Sequence, residues 1–162
     1  KKANVVIQGK LPFEEYSKLN IDLYLSLLYG KGYSGQAAIW NKIYRAELIK
    51  DKPIPVMKSE DVAWSPYVAS FADSFAYIET PLYEYLRREG STSDIINMNS
   101  DYEIFVRRIN SINFFLENGN PIRKERLYDI AEKRLEWHIK NTKGNGLYIA
   151  ELERLKMRRS DQ

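Results

Sequence analysis

The sequence contains no cysteine, which excludes disulfide bonds and thiolate metal sites and is compatible with an intracellular location. It also has no apolar run near the roughly 20 residues that a membrane-spanning helix needs. The opening Lys1-Lys2-Ala3-Asn4 leads into only a short apolar run, so it does not fit a signal peptide. Histidine is scarce, and we interpret the lone His138 as a surface or packing residue rather than a ligand.

Aromatic residues, in contrast, are plentiful, with 12 Tyr, 6 Phe and 3 Trp in 162 residues. Tyrosine packs its ring and keeps a polar tip, so this enrichment favours a core with wet edges or a polar cleft. A composition of 44% hydrophobic and 29% charged residues is ordinary for a folded soluble protein. The net charge of +3 is too small to indicate nucleic acid, so no nucleic-acid partner is expected.

The last stretch of the chain is basic. Its cations are Arg154, Lys156, Arg158 and Arg159. Glu151 and Glu153 are acidic neighbours of these residues along the sequence. Cations are favoured near a helix C-terminus, which explains them as a solvated helix end. The other interpretation is peripheral contact with an anionic membrane surface.

The first part of the chain predicts a mixture of strands and helices. Short apolar or β-branched runs predict strands over 4–8, 75–79 and 82–87. Apolar residues at helical spacing predict a helix over 14–29. The segment 37–50 is expected to be extended at first and helical by Tyr44.

A further helix start is predicted at Ser59, whose hydroxyl can accept a hydrogen bond from a free backbone N–H. The apolar residues behind it form one stripe at helical spacing: Trp64, Tyr67, Val68 and Phe71. Pro66 conflicts with this pattern because a proline inside a helix removes one hydrogen bond. Either the helix starts at Glu60 and kinks at Pro66, or it begins at Ser65 and the preceding residues belong to a loop.

From Ser100 the pattern becomes purely helical. Ser100 begins a Ser-x-x-Glu capping box, and Gly119 ends the helix that follows. Pro121 suits the first turn of a second helix, which extends to about Thr142. A short third helix is predicted over 147–157.

Glu60 and Asp61 are the residues most suited to chemistry. Near a helix N-terminus the free amides and the helix dipole favour a carboxylate in its charged form. A charged Asp61 can accept a proton from a hydroxyl as that oxygen attacks, while Glu60 supports the turn or a neighbouring group. Taken alone, the pair also fits an ordinary first helical turn.

Three motifs occur in a fixed order around this pair. They are Trp40-Asn41-Lys42-x-Tyr44-Arg45-x-Glu47-Leu48, then Glu60-Asp61-Val62, then Pro81-Leu82-Tyr83-x-Tyr85 with Arg87, Arg88 and Gly90-Ser91-Thr92-Ser93. In this order and spacing they resemble family 2 glycosyltransferases with the GT-A fold. The resemblance covers roughly residues 4–93, and the helical tail is loosely similar to the variable C-terminal region of that family.

The resemblance implies an α/β fold. Residues 1–98 would form the C-terminal part of a GT-A-like domain, a partial mixed sheet with flanking helices. Residues 99–162 would form an all-helical C-terminal extension. The chain would then be an acceptor-side portion that lacks the N-terminal nucleotide-binding half.

The resemblance also implies roles for named residues. Asp61 would be the catalytic base and Glu60 its companion, in an inverting transfer from a nucleotide-diphosphate sugar to a glycan or lipid-linked acceptor. The cleft between donor and acceptor would be bordered by Trp40, Asn41, Lys42, Tyr44, Arg87 and Arg88. Lys42 suits a phosphate or a carboxylate as a point charge, and its alternative is a solvated lysine. Alternation along a strand would turn only one of the two arginines toward the cleft.

Two features depart from the family. A divalent metal, Mn or Mg, is expected in the full-length enzyme, but its Asp-x-Asp ligands are absent from this chain. Leu86 stands where relatives often carry a basic residue.

Three functions compete. The first is this enzyme portion, serving bacterial cell-envelope or capsular polysaccharide synthesis in the cytoplasm or at the inner face of the membrane. The second is a non-catalytic binding or assembly module that keeps the fold. The third, a basic helical module for nucleic acid, is disfavoured by the modest net charge. Strand edges left uncovered by a missing half would favour a homodimer.

Overall fold

The computed structural model describes residues 19–20, 37–75, 100–142 and 146–161. In chain order the elements are β1 (Leu19–Asn20), α1 (Ala46–Ile49), α2 (Glu60–Ala69), β2 (Ser74–Phe75), α3 (Asp101–Asn118), a 3₁₀ turn (Pro121–Arg123), α4 (Lys124–Asn141) and α5 (Gly146–Ser160). The two short strands pair antiparallel, with Leu19 opposite Phe75 and Asn20 opposite Ser74. The protein is therefore mostly helical.

The predicted α/β fold with a mixed sheet is wrong. Within the described ranges, strand structure is limited to the two-residue ladder of β1 and β2. The helix predicted over 14–29 is also wrong at Leu19 and Asn20. Its apolar spacing is compatible with a helix, but backbone pairing with β2, far along the chain, takes these two residues. The predicted strands over 4–8 and 82–87 lie outside the described residues, as does the proposed boundary between residues 98 and 99.

The predicted helical tail is confirmed in α3, α4 and α5. At the start of α3 the Ser100 hydroxyl accepts a hydrogen bond from the Glu103 N–H at 3.3 Å, and the Glu103 carboxylate accepts one from the Ser100 N–H at 3.0 Å. Gly119 follows the last residue of α3, and Pro121 opens the 3₁₀ turn that leads into α4. These boundaries were predictable because capping chemistry is local in the sequence.

The core lies where α2, α3, α4 and α5 pack together. Its buried residues are Ala69, Ile112, Phe115, Leu116, Leu127, Tyr128, Ile130, Ala131, Leu135, Tyr148 and Leu155. Fully burying one large apolar side chain is worth about 1.5–3 kcal/mol, so this cluster dominates the stability of the helical part. Helix α2 lies against α3, and α4 lies against α5.

Helix α2 begins at Glu60 and continues through Pro66, so the start at Ser65 is wrong. The predicted stripe is only part of what it buries. Trp64 and Val68 are buried as expected, and the buried set of α2 also contains Ala63, Ser65, Pro66 and Ala69. Because α2 is buried on most of its surface, packing on several sides holds the helix in place, and it tolerates Pro66.

Ser70, which ends α2, ties this helix to the turn between α3 and α4. Its hydroxyl donates to the Tyr67 carbonyl at 2.6 Å and accepts from the Asn120 N–H at 2.9 Å. The Arg123 guanidinium donates to the Ser70 carbonyl at 2.8 Å. The segment that carries the Glu-Asp pair is therefore anchored directly on the helical tail.

The basic C-terminus has more acidic neighbours than its sequence indicates. Arg159 of α5 donates to three carboxylates of α4, those of Glu125, Asp129 and Glu132, at 2.6 to 2.9 Å. These hydrogen bonds raise the pKa of Arg159, with the bond to Glu132 contributing most. Folding thus brings the carboxylates of α4 alongside the basic residues of α5. No helix among the described residues has the length and apolar character needed to cross a membrane.

Candidate functional site

The first two motifs meet in space. The segment 37–44 packs against α2, where the Ser65 hydroxyl donates to the Ala37 carbonyl at 2.5 Å. The ring of Tyr44 lies edge-on to Trp64, with centroids 5.1 Å apart. Trp64 in turn donates its indole N–H to the Lys52 carbonyl at 2.8 Å. Buried aromatic and hydrogen-bond contacts thus hold the Trp-Asn-Lys-x-Tyr segment beside the start of α2.

Lys42 is held in place and partly buried. Its ammonium donates to the Ala38 carbonyl at 2.6 Å and to the Asn41 side-chain oxygen at 2.7 Å. Burial lowers the pKa of Lys42 to about 8, and the negative charge of Asp61 opposes that shift. The interpretation of Lys42 as a freely solvated side chain is therefore wrong, and this cation shares an electrostatic environment with Asp61.

Asp61 lies in the first turn of α2 with its carboxylate partly buried. One carboxylate oxygen accepts a hydrogen bond from the Val62 N–H at 2.8 Å. Burial raises the pKa of Asp61, and the nearby charge of Glu60 adds to the rise, whereas the Val62 N–H and the Arg134 guanidinium oppose it. Burial thus outweighs the effect of the helix N-terminus, and the carboxylate is a stronger proton acceptor than an exposed aspartate.

Ser59 does not cap α2 in the predicted way. Its backbone is left-handed, with φ of 63°, and its hydroxyl makes no capping hydrogen bond. A side-chain cap normally requires extended backbone at this position, which explains the failure. The Ser59 carbonyl instead accepts from the N–H groups of Val62 and Ala63, at 3.2 and 3.4 Å.

The remaining predicted site residues differ in exposure. Burial raises the pKa of Tyr44 to about 12, with the Ser65 hydroxyl opposing the rise. Trp40 is 37% exposed, and Glu60 is also exposed. The structure therefore brings Lys42, Tyr44 and Asp61 together, flanked by Trp40, Asn41 and Glu60. Arg87 and Arg88 lie outside the described residues.

A cavity that the sequence did not reveal lies behind the start of α2. We call it the arginine cavity; it has a volume of about 150 Å³ and is lined by Ser59, Ile104, Arg107, Arg108 and Arg134. Its guanidinium groups come from α3 and α4, and the charge of Arg134 also acts on Asp61. The doublet Arg107-Arg108 inside an apolar helix was the only sequence signal, and Arg134 gave none.

His138 is a buried packing residue, as one of the two sequence interpretations held. Its side chain stacks on Tyr148 with ring centroids 5.0 Å apart, and the residue is 4% exposed. Burial lowers its pKa to about 3, and the charges of Arg108 and Arg134 add to the effect. The imidazole is therefore neutral at physiological pH.

The described residues offer no metal site. No group of three or more His, Asp or Glu side chains among them could hold a metal ion. None of the described residues therefore fits the divalent metal that the resemblance implies.

Comparison with known proteins gave no relative. No protein-family model matches the chain, and no curated protein or solved structure is significantly similar to it. A function for this chain must therefore be inferred from its own residues and their geometry.

Proposed function

We propose that this chain is the acceptor-side portion of an inverting glycosyltransferase. It would help to move a sugar from a nucleotide-diphosphate sugar to a glycan or lipid-linked acceptor in cell-envelope or capsular polysaccharide synthesis. The observation that carries the proposal is the packing of Tyr44 on Trp64, which brings Lys42 and Asp61 into one partly buried polar site.

Asp61 is the catalytic base in this proposal. Its carboxylate accepts the proton of an acceptor hydroxyl while that oxygen forms a bond to the anomeric carbon of the donor. The bond from the anomeric carbon to the diphosphate breaks at the same time, and the nucleoside diphosphate leaves with the electron pair. Attack from the side opposite the leaving group inverts the anomeric configuration. The raised pKa of Asp61 strengthens the carboxylate as a proton acceptor.

Lys42 supplies positive charge next to the base. With a pKa of about 8 it is mostly protonated at neutral pH. Its hydrogen bonds to Ala38 and Asn41 hold the ammonium in one position. Binding a substrate therefore does not require a flexible lysine side chain to become ordered. A fixed ammonium of this kind suits a phosphate or carboxylate on the substrate.

The substrates of such an enzyme indicate its location in the cell. Nucleotide-diphosphate sugars are cytoplasmic metabolites, so the proposed location is the cytoplasm, with peripheral attachment at the inner face of the membrane for a lipid-linked acceptor. The basic side chains of α5 are the candidates for that attachment, although α4 carboxylates already engage Arg159.

One observation favours the second candidate, a non-catalytic binding or assembly module. The Asp61 carboxylate accepts a hydrogen bond from the next residue of its own helix, a stabilising contact where Ser59 fails to cap. An Asp61 with only a structural role would accept the same hydrogen bond. Measuring both stability and turnover of one variant distinguishes the two functions.

The test is Asp61→Asn in the full-length enzyme that carries both halves. Asparagine keeps the hydrogen bond from the Val62 N–H but cannot accept the proton. We expect turnover to fall at least about 100-fold, at the low end of general-base effects. We expect the unfolding free energy at neutral pH to be unchanged or higher, because burial disfavours the charged aspartate in the folded state.

The matched control is Asp73→Asn. Asp73 has a side chain 99% exposed and pairs with Arg123 at 3.9 Å, outside the site. It should leave turnover within about twofold of wild type. Near-wild-type turnover in Asp61→Asn, or lost turnover together with lost stability, would remove Asp61 from the mechanism and favour the assembly module.

A further inference from the structure

The arginine cavity concentrates positive charge. Arg107 and Arg108 reach it from α3 and Arg134 reaches it from α4, around a volume of about 150 Å³. Guanidinium groups stay protonated at every pH at which the protein is folded. Three such groups around one small space repel each other, more strongly where water is partly excluded. This repulsion raises the free energy of the folded protein unless a negatively charged group lies close enough to offset it.

Among the described residues, two neighbouring carboxylates offset part of that charge. The charge of Glu103 acts on Arg107, and that of Asp61 acts on Arg134. Both carboxylates are also hydrogen-bonded elsewhere, Glu103 to Ser100 and Asp61 to the Val62 N–H. Three cations line the cavity, and both of these carboxylates lie outside its lining.

At least one donor at the cavity lacks an acceptor among the described residues. Among the described residues, a terminal guanidinium nitrogen of Arg107 (Nη1) is buried and has no hydrogen-bond partner. A buried charged donor without an acceptor costs free energy, and such groups are rare in folded proteins. Arg108, by comparison, donates to the Tyr148 hydroxyl at 2.8 Å. An acceptor placed in the cavity would satisfy Arg107 and neutralise the cluster.

We propose that the arginine cavity is an oxyanion site that binds a phosphoryl group. Guanidinium forks match the oxygens of a phosphate in geometry and charge, better than lysines do. Ser59, the residue that precedes α2, lies on the cavity wall, so the dipole at the N-terminus of this helix also favours an anion there. The volume is enough for a phosphate in place of several water molecules. This site stands independently of the glycosyl-transfer proposal, because it needs no proton transfer at Asp61.

His138 provides a reporter next to the cavity. It is the only histidine of the chain, so its ring signals are unambiguous in an NMR spectrum. It stacks on Tyr148, whose hydroxyl accepts the hydrogen bond from Arg108. An anion bound between the arginines would change the field at the imidazole and shift its ring resonances.

The experiment titrates inorganic phosphate into this chain at constant ionic strength, balanced with sodium chloride. We expect saturable binding by calorimetry with a dissociation constant below about 1 mM, a shift of the His138 signals, and a higher melting temperature in phosphate than in chloride. Arg107→Gln should weaken binding at least about 10-fold, the loss of one charge-assisted contact. Because Arg107→Gln also reduces repulsion, it should fold with at least wild-type stability in chloride.

The matched control is Arg126→Gln, which removes the same charge from an exposed position of α4. It should leave phosphate binding within about twofold of wild type. Arg107→Lys should recover part of the affinity, because it keeps the charge without the fork. Phosphate that fails to bind, or that binds Arg107→Gln and wild type equally, overturns the proposal.

A second arm identifies the source of the phosphoryl group. Vesicles of phosphatidylcholine with phosphatidic acid are compared with vesicles of phosphatidylcholine alone. Binding that requires phosphatidic acid and is lost in Arg107→Gln indicates a lipid phosphate, whereas binding of inorganic phosphate alone indicates a soluble ligand. Asp61→Asn should still bind phosphate, so this site and the proposed catalytic role can fail separately.

Discussion

At the scale of single residues, Lys42 makes the pH dependence of stability testable. Its pKa is about 8 in the folded protein, against an ordinary value of 10.5. Between these values the unfolded chain holds more protons than the folded one, so this residue makes stability rise with pH. We expect Lys42→Met to lose that rise, on the order of 3 kcal/mol over the window. Chemical denaturation of both proteins from pH 7 to pH 10 measures it.

The control for the Lys42 experiment is Lys50→Met, which makes the same change at an exposed lysine. Tyr44 acts in the opposite direction at higher pH, because its pKa is raised to about 12 and the folded state keeps the proton longer. Stability attributable to Tyr44 therefore falls between about pH 10 and 12, above the range measured. Equal slopes for wild type and Lys42→Met would show that Lys42 is not desolvated.

The same scale shows why only part of the site was predictable. The sequence allowed two starts for this helix, at Glu60 or at Ser65, and the structure has the start at Glu60. The sequence could not indicate that Ser59 adopts left-handed backbone, which prevents its hydroxyl from capping. Nor could it indicate that burial would outweigh the helix dipole at Asp61, because burial depends on chain segments packed from elsewhere.

At the scale of elements, the turn between α3 and α4 depends on Gly119. A Cβ built at this position would lie 2.6 Å from the Phe115 carbonyl oxygen and would overlap the Leu127 side chain. The backbone φ of −67° suits any residue, so the constraint is space rather than conformation. We expect Gly119→Ala to lower the unfolding free energy by about 1–3 kcal/mol, the usual effect of overpacking. Urea denaturation followed by circular dichroism measures the change.

Gly146→Ala is the matched control for that element. Gly146 opens α5, and a Cβ there would meet nothing within 4 Å. Alanine should leave stability equal or raise it by up to about 1 kcal/mol, since it is the better helix former. If the two alanine variants lost equal stability, the close approach of α3 and α4 at Gly119 would be refuted.

Secondary-structure elements were predictable where the residues that determine their ends lie close together in the sequence. The capping box at Ser100, Gly119 as the terminator of α3 and Pro121 at the next turn each act within a few residues, and all three are confirmed. The pairing of β1 with β2 joins residues more than fifty positions apart. Helical spacing around Leu19 therefore predicted the wrong element, because the partner strand and not the local pattern decides.

At the scale of the whole molecule, the helical tail is part of the candidate site. Helix α2 carries Asp61 but packs on α3, and Ser70 joins its end to the α3–α4 turn. Arg134 of α4 acts on Asp61 from about seventy residues away along the chain. The sequence alone gives no signal for that contact, which is why it did not indicate the arginine cavity although it did indicate the segment that carries the motifs.

Binding of nucleotide-sugars by this chain tests the proposed acceptor-side role. The arginine cavity has about 150 Å³, whereas pockets that bury drug-sized ligands have roughly 300–1,000 Å³, so the base and ribose of a nucleotide-sugar would gain little from it. We expect UDP- and GDP-sugars with manganese to bind no tighter than pyrophosphate, with dissociation constants above about 100 μM by calorimetry. Arg107→Gln should remove what binding there is, because only the diphosphate would be held. Micromolar affinity that survives Arg107→Gln would place a nucleotide site within this chain and contradict the proposed acceptor-side role.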